Sequence, residues 1–194
     1  MTPKDRWIDE GLTTLRQDGI AGVRIDRIAA RLGLTKGSFH HHFHGVGDFH
    51  RSLLERYETD AITAIDNAVK TLDRVSPQRV LMEASAHVPI DAATEAAIRG
   101  WAFQDEAARA TLRRIDSARL QALTRIWHSI IPNEAQARSA AMIPYLITIG
   151  ASVAVPTPTE KEMTDLFALL ATLIPSVPGA APTQHGRADI GDSE

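Results

Sequence analysis

The chain has 194 residues, 44% hydrophobic and 23% charged, with a formal net charge of −3 and no cysteine. That length and apolar content suffice for a folded domain with a buried core. The lack of cysteine excludes disulfides, thiolate metal sites and thiol nucleophiles. No apolar run approaches the ~18 residues of a membrane span, and the opening MTPKDRWIDEG lacks the apolar core of a secretion signal. A cytoplasmic location without membrane contact is expected.

Charge is unevenly spread. Residues 1–56 hold nine Lys/Arg against seven Asp/Glu, with five of the eight histidines, while the remainder holds twelve against seventeen. The first quarter of the chain is therefore the better partner for a polyanion.

Glycine, proline and apolar spacing divide the chain into helical segments with no alternating strand pattern, so an all-α fold is expected. A first helix is predicted over residues 4–18, with Trp7, Ile8, Gly11, Leu12 and Leu15 on one stripe and Gly19 as its C-terminal cap. A second covers 25–32, where Ile25, Ile28, Ala29 and Leu32 recur at three- and four-residue steps. Thr35 caps a short third helix reaching about residue 43. A long fourth helix starts at Val46 or Gly47, with Asp48 suited to its positive end, and runs to about residue 74. Further helices are expected near 77–87, 91–104, 106–131, 133–154 and 159–175. Gly100 could join or split two of them, and Pro144 should kink or interrupt its own. Residues 176–194, rich in Pro, Gly and Ala, read as a disordered tail.

The stretch TKGSFHHHFHG, residues 35–45, raises three readings: a metal cage, an acid–base device, or a helix face that touches something. His40 and His44 stand four residues apart and could share a metal on one helix face. However, the third helix ends between them and no local carboxylate completes a ligand set. No nucleophile or orienting carboxylate lies beside these rings for catalysis. Residues 25–43, IDRIAARLGLTKGSFHHHF, instead have the layout of a helix-turn-helix. Ala29 is small where two helices cross, Gly33 sits in the turn, and Ile28, Leu32, Leu34 and Phe39 form a miniature core.

From Trp7 to Tyr57 the order and spacing resemble the DNA-binding domain of the TetR family of bacterial transcriptional regulators. The features that carry this are the apolar first helix ending at Gly19, RIDRIAARLGLTKGSFHHHF, and the following helix with LLERY. The resemblance implies an all-α fold: a helix-turn-helix DNA-binding domain over 1–56, made of three helices plus the start of a long linking helix, then a helical effector-binding and dimerisation domain over 57–175. It implies that the third helix lies in the major groove, with roles for Thr35, Lys36, Gly37, Ser38, His40 and His41. Chemistry agrees: lysine donates to phosphate or guanine acceptors, serine donates or accepts, and Gly37 permits close backbone approach. The chain departs from the family at three places. His40 and His41 stand where tyrosines are usual. Arg24 replaces a capping Ser or Thr, and can reach the same phosphate without capping. Val46 replaces a lysine that grips the DNA backbone, which shifts weight onto Arg24, His44, Lys4 and Arg6.

Beyond residue 75 there is an apolar helical body without a motif. SAAMIPYLITIGASVAV and TDLFALLATLI exceed the apolar needs of one monomer's core, as a dimer interface would require. Candidate effector contacts are Met82, Trp101, Phe103 and Tyr145, together with Trp127 and His128, and Arg119 or His87 is the polar option. Arg113, Arg114 and Arg125 are expected to form a solvated face with Asp116, and scarce buried charge points to an apolar or aromatic effector. The function expected is a homodimeric, ligand-responsive repressor of a palindromic duplex operator, not an enzyme and without a cofactor. A histidine-cluster metal-dependent enzyme and a helical interaction module with no DNA target are the alternatives.

Overall fold

Thr2 starts the first helix: its hydroxyl accepts from the Asp5 N–H at 3.1 Å, and the Asp5 carboxylate accepts from the Thr2 N–H at 2.7 Å. The structure, a computed structural model, describes residues 2–72, 91–129 and 131–173, and all its regular elements among these are helical. α1 (Pro3–Asp18) ends at Gly19, which has φ 67° and donates to the Leu15 carbonyl. A short 3₁₀ turn (Ile20–Gly22) leads into α2 (Ile25–Leu32), α3 (Lys36–His40) and α4 (Val46–Leu72). The body follows as α5 (Ala92–Ala102), α6 (Glu106–His128), α7 (Glu134–Val153) and α8 (Glu160–Leu173).

α2 has the expected bounds, and Gly33 closes it in the left-handed conformation at φ 66°. α3 is shorter than expected. Its last turn tightens, with the Phe39 carbonyl accepting from both the His42 and Phe43 N–H groups, so His41 and His42 lie in a turn. Phe43 is thereby drawn inward beside Phe39 and Phe49. Gly100 lies inside α5 without splitting it, and Pro144 lies inside α7 without interrupting it. The helix expected at 77–87 and the tail at 176–194 fall outside the described residues.

The N-terminal module has an aromatic core. Trp7, Leu15, Ile28, Phe39 and Leu53 are wholly buried, with Phe43 and Phe49 nearly so. Phe39 is the hub, at centroid distances of 5.4 Å from Trp7, 5.0 Å from Phe43 and 5.5 Å from Phe49. Each such side chain contributes about 1.5–3 kcal/mol by leaving water. Gly11 lets α1 and α4 touch: a Cβ there would come within 2.7 Å of Leu53 Cδ2 and Phe49 Cζ. The same cluster runs on through Ile98, Trp101 and Leu112, so α5 and α6 share the module's core. α6 packs most extensively on α7 and also on α4.

Candidate nucleic-acid interface and internal cavity

The helix-turn-helix is built by one side chain pointing in and its neighbours pointing out. On α3, Phe39 is wholly buried while Lys36, Gly37 and His40 are exposed, as are Thr35 and His41 on either side; Ser38 is half-buried. The Thr35 hydroxyl accepts from the Ser38 N–H at 3.3 Å, the cap expected of it. His44 is exposed, its N–H donating to the Asp48 carboxylate at 3.0 Å. His42 is half-buried, its ring edge-on to Phe43. The histidine run thus separates into outward His40, His41 and His44 and an intermediate His42. Among the described residues, no three of His, Asp and Glu converge as a metal ion would require.

Ion pairing sorts the module's cations, which sequence reading could not do. Arg31 is held by Glu10 at 3.0 Å, Arg27 by Asp18 at 2.9 Å and Arg56 by Asp9 at 2.9 Å, each stitching helices together. Arg24 occupies the N-cap of α2 without capping it and lies 3.6 Å from Asp26, largely in solvent. Lys36 has no ion-pair partner among the described residues and stands exposed on α3. Lys4 sits over the Phe43 ring at 5.3 Å, and Arg6 donates to the Leu32 carbonyl at 3.4 Å, so both flank the turn.

The second feature is a cavity of about 690 Å³ in the body, lined from α4 by Ile65 and Val69, from α6 by Arg119, Leu123 and Ile126, from α7 by Tyr145 and Ile149, and from α8 by Met163 and Phe167. Its walls are mainly apolar. Of the predicted effector contacts, Arg119 and Tyr145 line it. Trp101 does not: it is buried in the core shared with the module, edge-on to His50 at 5.2 Å. Trp127 is buried against Leu120, Ala137 and Ala141, outside the cavity lining. Phe103 and His128 are exposed, Phe103 to 83%, because both fall near helix ends. Met82 and His87 lie outside the described residues.

Beside the cavity the body buries charge, contrary to the expectation of little buried charge. Glu95 is 1% exposed and takes both terminal nitrogens of Arg119, at 2.9 and 2.8 Å, with the Tyr57 hydroxyl donating to it at 2.5 Å. Arg99 adds 2.6 Å to Glu95 and 2.8 Å to Asp116. Asp116 also accepts from Arg119 at 3.2 Å, so it does not join the solvated arginine face expected of it. Instead Arg114 pairs with Glu58 and Arg113 with Glu106. In sequence Glu95–Arg99 and Asp116–Arg119 look like ordinary surface pairs at helical spacing; packing α5 on α6 brings them together inside. Burial alone would push the Glu95 carboxyl up, but hydrogen bonds and charge from Arg119, with Tyr57 and Arg99, outweigh it and hold it below the usual range. The Tyr57 hydroxyl is pushed well up by burial and by the facing carboxylate.

An exposed recognition-type helix on a three-helix module, carried by an all-α body with an apolar cavity, defines a helix-turn-helix protein. Comparison with known proteins places the N-terminal segment beside one family of regulators. Residues 8–45 match the family model described as bacterial regulatory proteins, tetR family. Over 61 residues the chain is 36% identical to the transcriptional regulator AcuR of Cereibacter sphaeroides, a match covering 31% of this chain and only 28% of that relative. Among solved structures, a transcriptional regulator from Rhodococcus sp. Rha1 superposes with a TM-score of 0.74 at 16% identity, covering 89% of this chain and 96% of that one. The Bacillus subtilis regulator FadR, in complex with stearoyl-CoA, gives 0.62 at 17% identity over 91% and 99%. The match to the tetR family model is confined to the N-terminal segment, and the fold is shared with these regulators along nearly the whole length of the chain. No described helix is long and apolar enough to cross a membrane.

Proposed function

We propose that this chain is a ligand-responsive transcriptional repressor that binds a palindromic operator as a homodimer and is released by a small-molecule effector. One observation carries the reading: α3 buries Phe39 and, with the turn that follows it, offers Lys36, Gly37, His40 and His41 to solvent, with Arg24 and His44 exposed on its flanks. A short helix in one groove reads few bases, and two copies held roughly 34–36 Å apart read two half-sites. The surface for that pairing is the apolar face of α7 and α8, where Ile143 is 47%, Leu146 53%, Val153 53% and Leu169 60% exposed. Such a face is costly on a lone protomer.

The 690 Å³ cavity is of a size that suits a small-molecule ligand, and its mainly apolar walls favour an apolar or aromatic compound. That a structural neighbour was solved with stearoyl-CoA supports ligand occupancy of such a body. An effector binding better to a dimer of altered half-site spacing lowers DNA affinity by linkage. Catalysis has no part in this reading, and the chain's own activity is to hold or release duplex DNA.

The test is a gel shift on the DNA flanking its own gene. Lys36→Ala and His41→Ala should each weaken the sequence-dependent shift, by roughly tenfold for a contact of about 1–3 kcal/mol, and Lys36→Ala should reduce the salt slope by about 1. Thermal melts should be unchanged, since both side chains are exposed. Undiminished binding in both variants removes the groove assignment.

A further inference from the structure

A second concavity, about 460 Å³, opens between α5, α6 and α7, sharing Tyr145 with the apolar cavity, and its wall is rich in arginine. Four arginines, Arg99, Arg109, Arg113 and Arg138, line it with a single acidic residue, Asp116. The chain as a whole carries a net charge of −3, so this concentration runs against its average.

Local pairing does not neutralise the cleft. Asp116 is saturated by Arg99, at 2.8 and 3.1 Å, and Arg119, at 3.2 Å. With Glu95 these groups form a quartet of two cations and two anions that sums to zero. Glu106 alone serves both Arg109 and Arg113. Arg138 is exposed and has no carboxylate partner among the described residues. Two positive charges are left in excess around one small concavity, carried by planar forks that match oxyanion geometry.

We infer that this cleft binds a small oxyanion of two or more charges, a phosphate ester or diphosphate group being the best match. Arg113 is 64% and Arg109 47% exposed, and the one carboxylate they share, Glu106, is itself exposed, so either can exchange that partner for a ligand by side-chain rotation. The site lies off the exposed apolar face of α7, since Ile143, Leu146 and Val153 are absent from its lining. It also touches the effector cavity's own groups. Tyr145 lines both spaces, and Asp116 at the cleft floor holds Arg119 of the cavity wall. An anion drawing Arg99 away from Asp116 would therefore change how Arg119 is held.

The inference is tested by calorimetry on the full chain at low ionic strength, with inorganic pyrophosphate and malonate as probes. Pyrophosphate should bind with one site per chain and weaken with added salt, more tightly than malonate. Arg113→Gln and Arg138→Gln should each weaken it roughly tenfold, about 1.4 kcal/mol, as a charge-assisted hydrogen bond is lost. Arg125→Gln, exposed on α6 and outside the cleft, should leave it unchanged. Thermal melts of the three variants should coincide with that of the parent. No saturable binding, or binding that survives both cleft variants, overturns the site; equal binding of malonate overturns its phosphate character. No DNA enters the measurement, so its failure and that of the operator reading are separable.

Discussion

In the N-terminal module four aromatic rings, Trp7, Phe39, Phe43 and Phe49, meet at centroid distances of 4.9 to 5.5 Å. The centre of the body instead holds Glu95, Arg99, Arg119 and the Tyr57 hydroxyl, beside a cavity of about 690 Å³. Close-packed rings have one good arrangement, because any shift opens voids that forfeit dispersion and hydrophobic energy. The body's charged groups are held by directional hydrogen bonds at the wall of a cavity, where a polar group on an entering ligand competes for the same donors and acceptors. The module is thus suited to present α3 in one geometry, and the body to respond to what enters it. The two are joined where Trp101 and Ile98 share the module's core and where Tyr57, on the helix leaving the module, bonds to Glu95.

The sharpest way to break this contrast is Glu95→Gln. It leaves Arg119 and Arg99 partly buried with Asp116 as the one remaining carboxylate of the network, and should lower unfolding free energy by about 3–5 kcal/mol. Urea denaturation measures it, and a loss under 1 kcal/mol would mean the network is not what holds α5 on α6. In the module, Gly11→Ala drives a methyl into Leu53 and Phe49 and should cost about 1–3 kcal/mol. A neutral result would show the aromatic core to be looser than the rings imply. Thr35→Ala removes only the cap on the Ser38 N–H and should cost about 1 kcal/mol, again by denaturation.

The smallest effect sits at the seam. Burial pushes the His50 imidazole below its ordinary 6.5, the Asp105 charge opposing, and its Nε2 is buried without a protein partner. The folded chain therefore keeps this ring neutral where the unfolded chain protonates it. The unfolded state binds the extra proton, so stability falls as pH drops below 6.5 and continues to fall until the folded pKa is reached. His50→Gln should flatten the decline in melting temperature between about pH 7 and pH 5. Glu95 is held below 4.5 and adds its own loss only at lower pH, which separates the two. Parallel profiles for parent and variant would show that the seam does not sense protons in this range.

Much of the architecture was readable before the fold was known, for local reasons. Gly19 and Gly33 mark helix ends because each adopts a positive φ, and Thr35 marks a start because its hydroxyl caps. Apolar spacing placed α1, α2 and α4 within a residue or two at their starts, and the outward and inward sides of α3 followed from a single phenylalanine among polar neighbours. Less was readable in the body. Trp101 and Trp127 look like effector contacts by residue type, yet both are consumed in packing, one against the module and one against α7. The arginine cleft was missed altogether, since Arg99, Arg109, Arg113 and Arg138 are spread over three helices.

The order of helices, their caps and the face of α3 that meets solvent were settled by the sequence alone, since each depends on residues within a turn or two of one another. Only the tertiary structure decided which arginines are committed to carboxylates, which aromatics line the cavity, and where cations outnumber the carboxylates that hold them. Those outcomes depend on how α4, α5, α6 and α7 pack, and contacts between residues tens of positions apart leave no periodicity for a sequence to display.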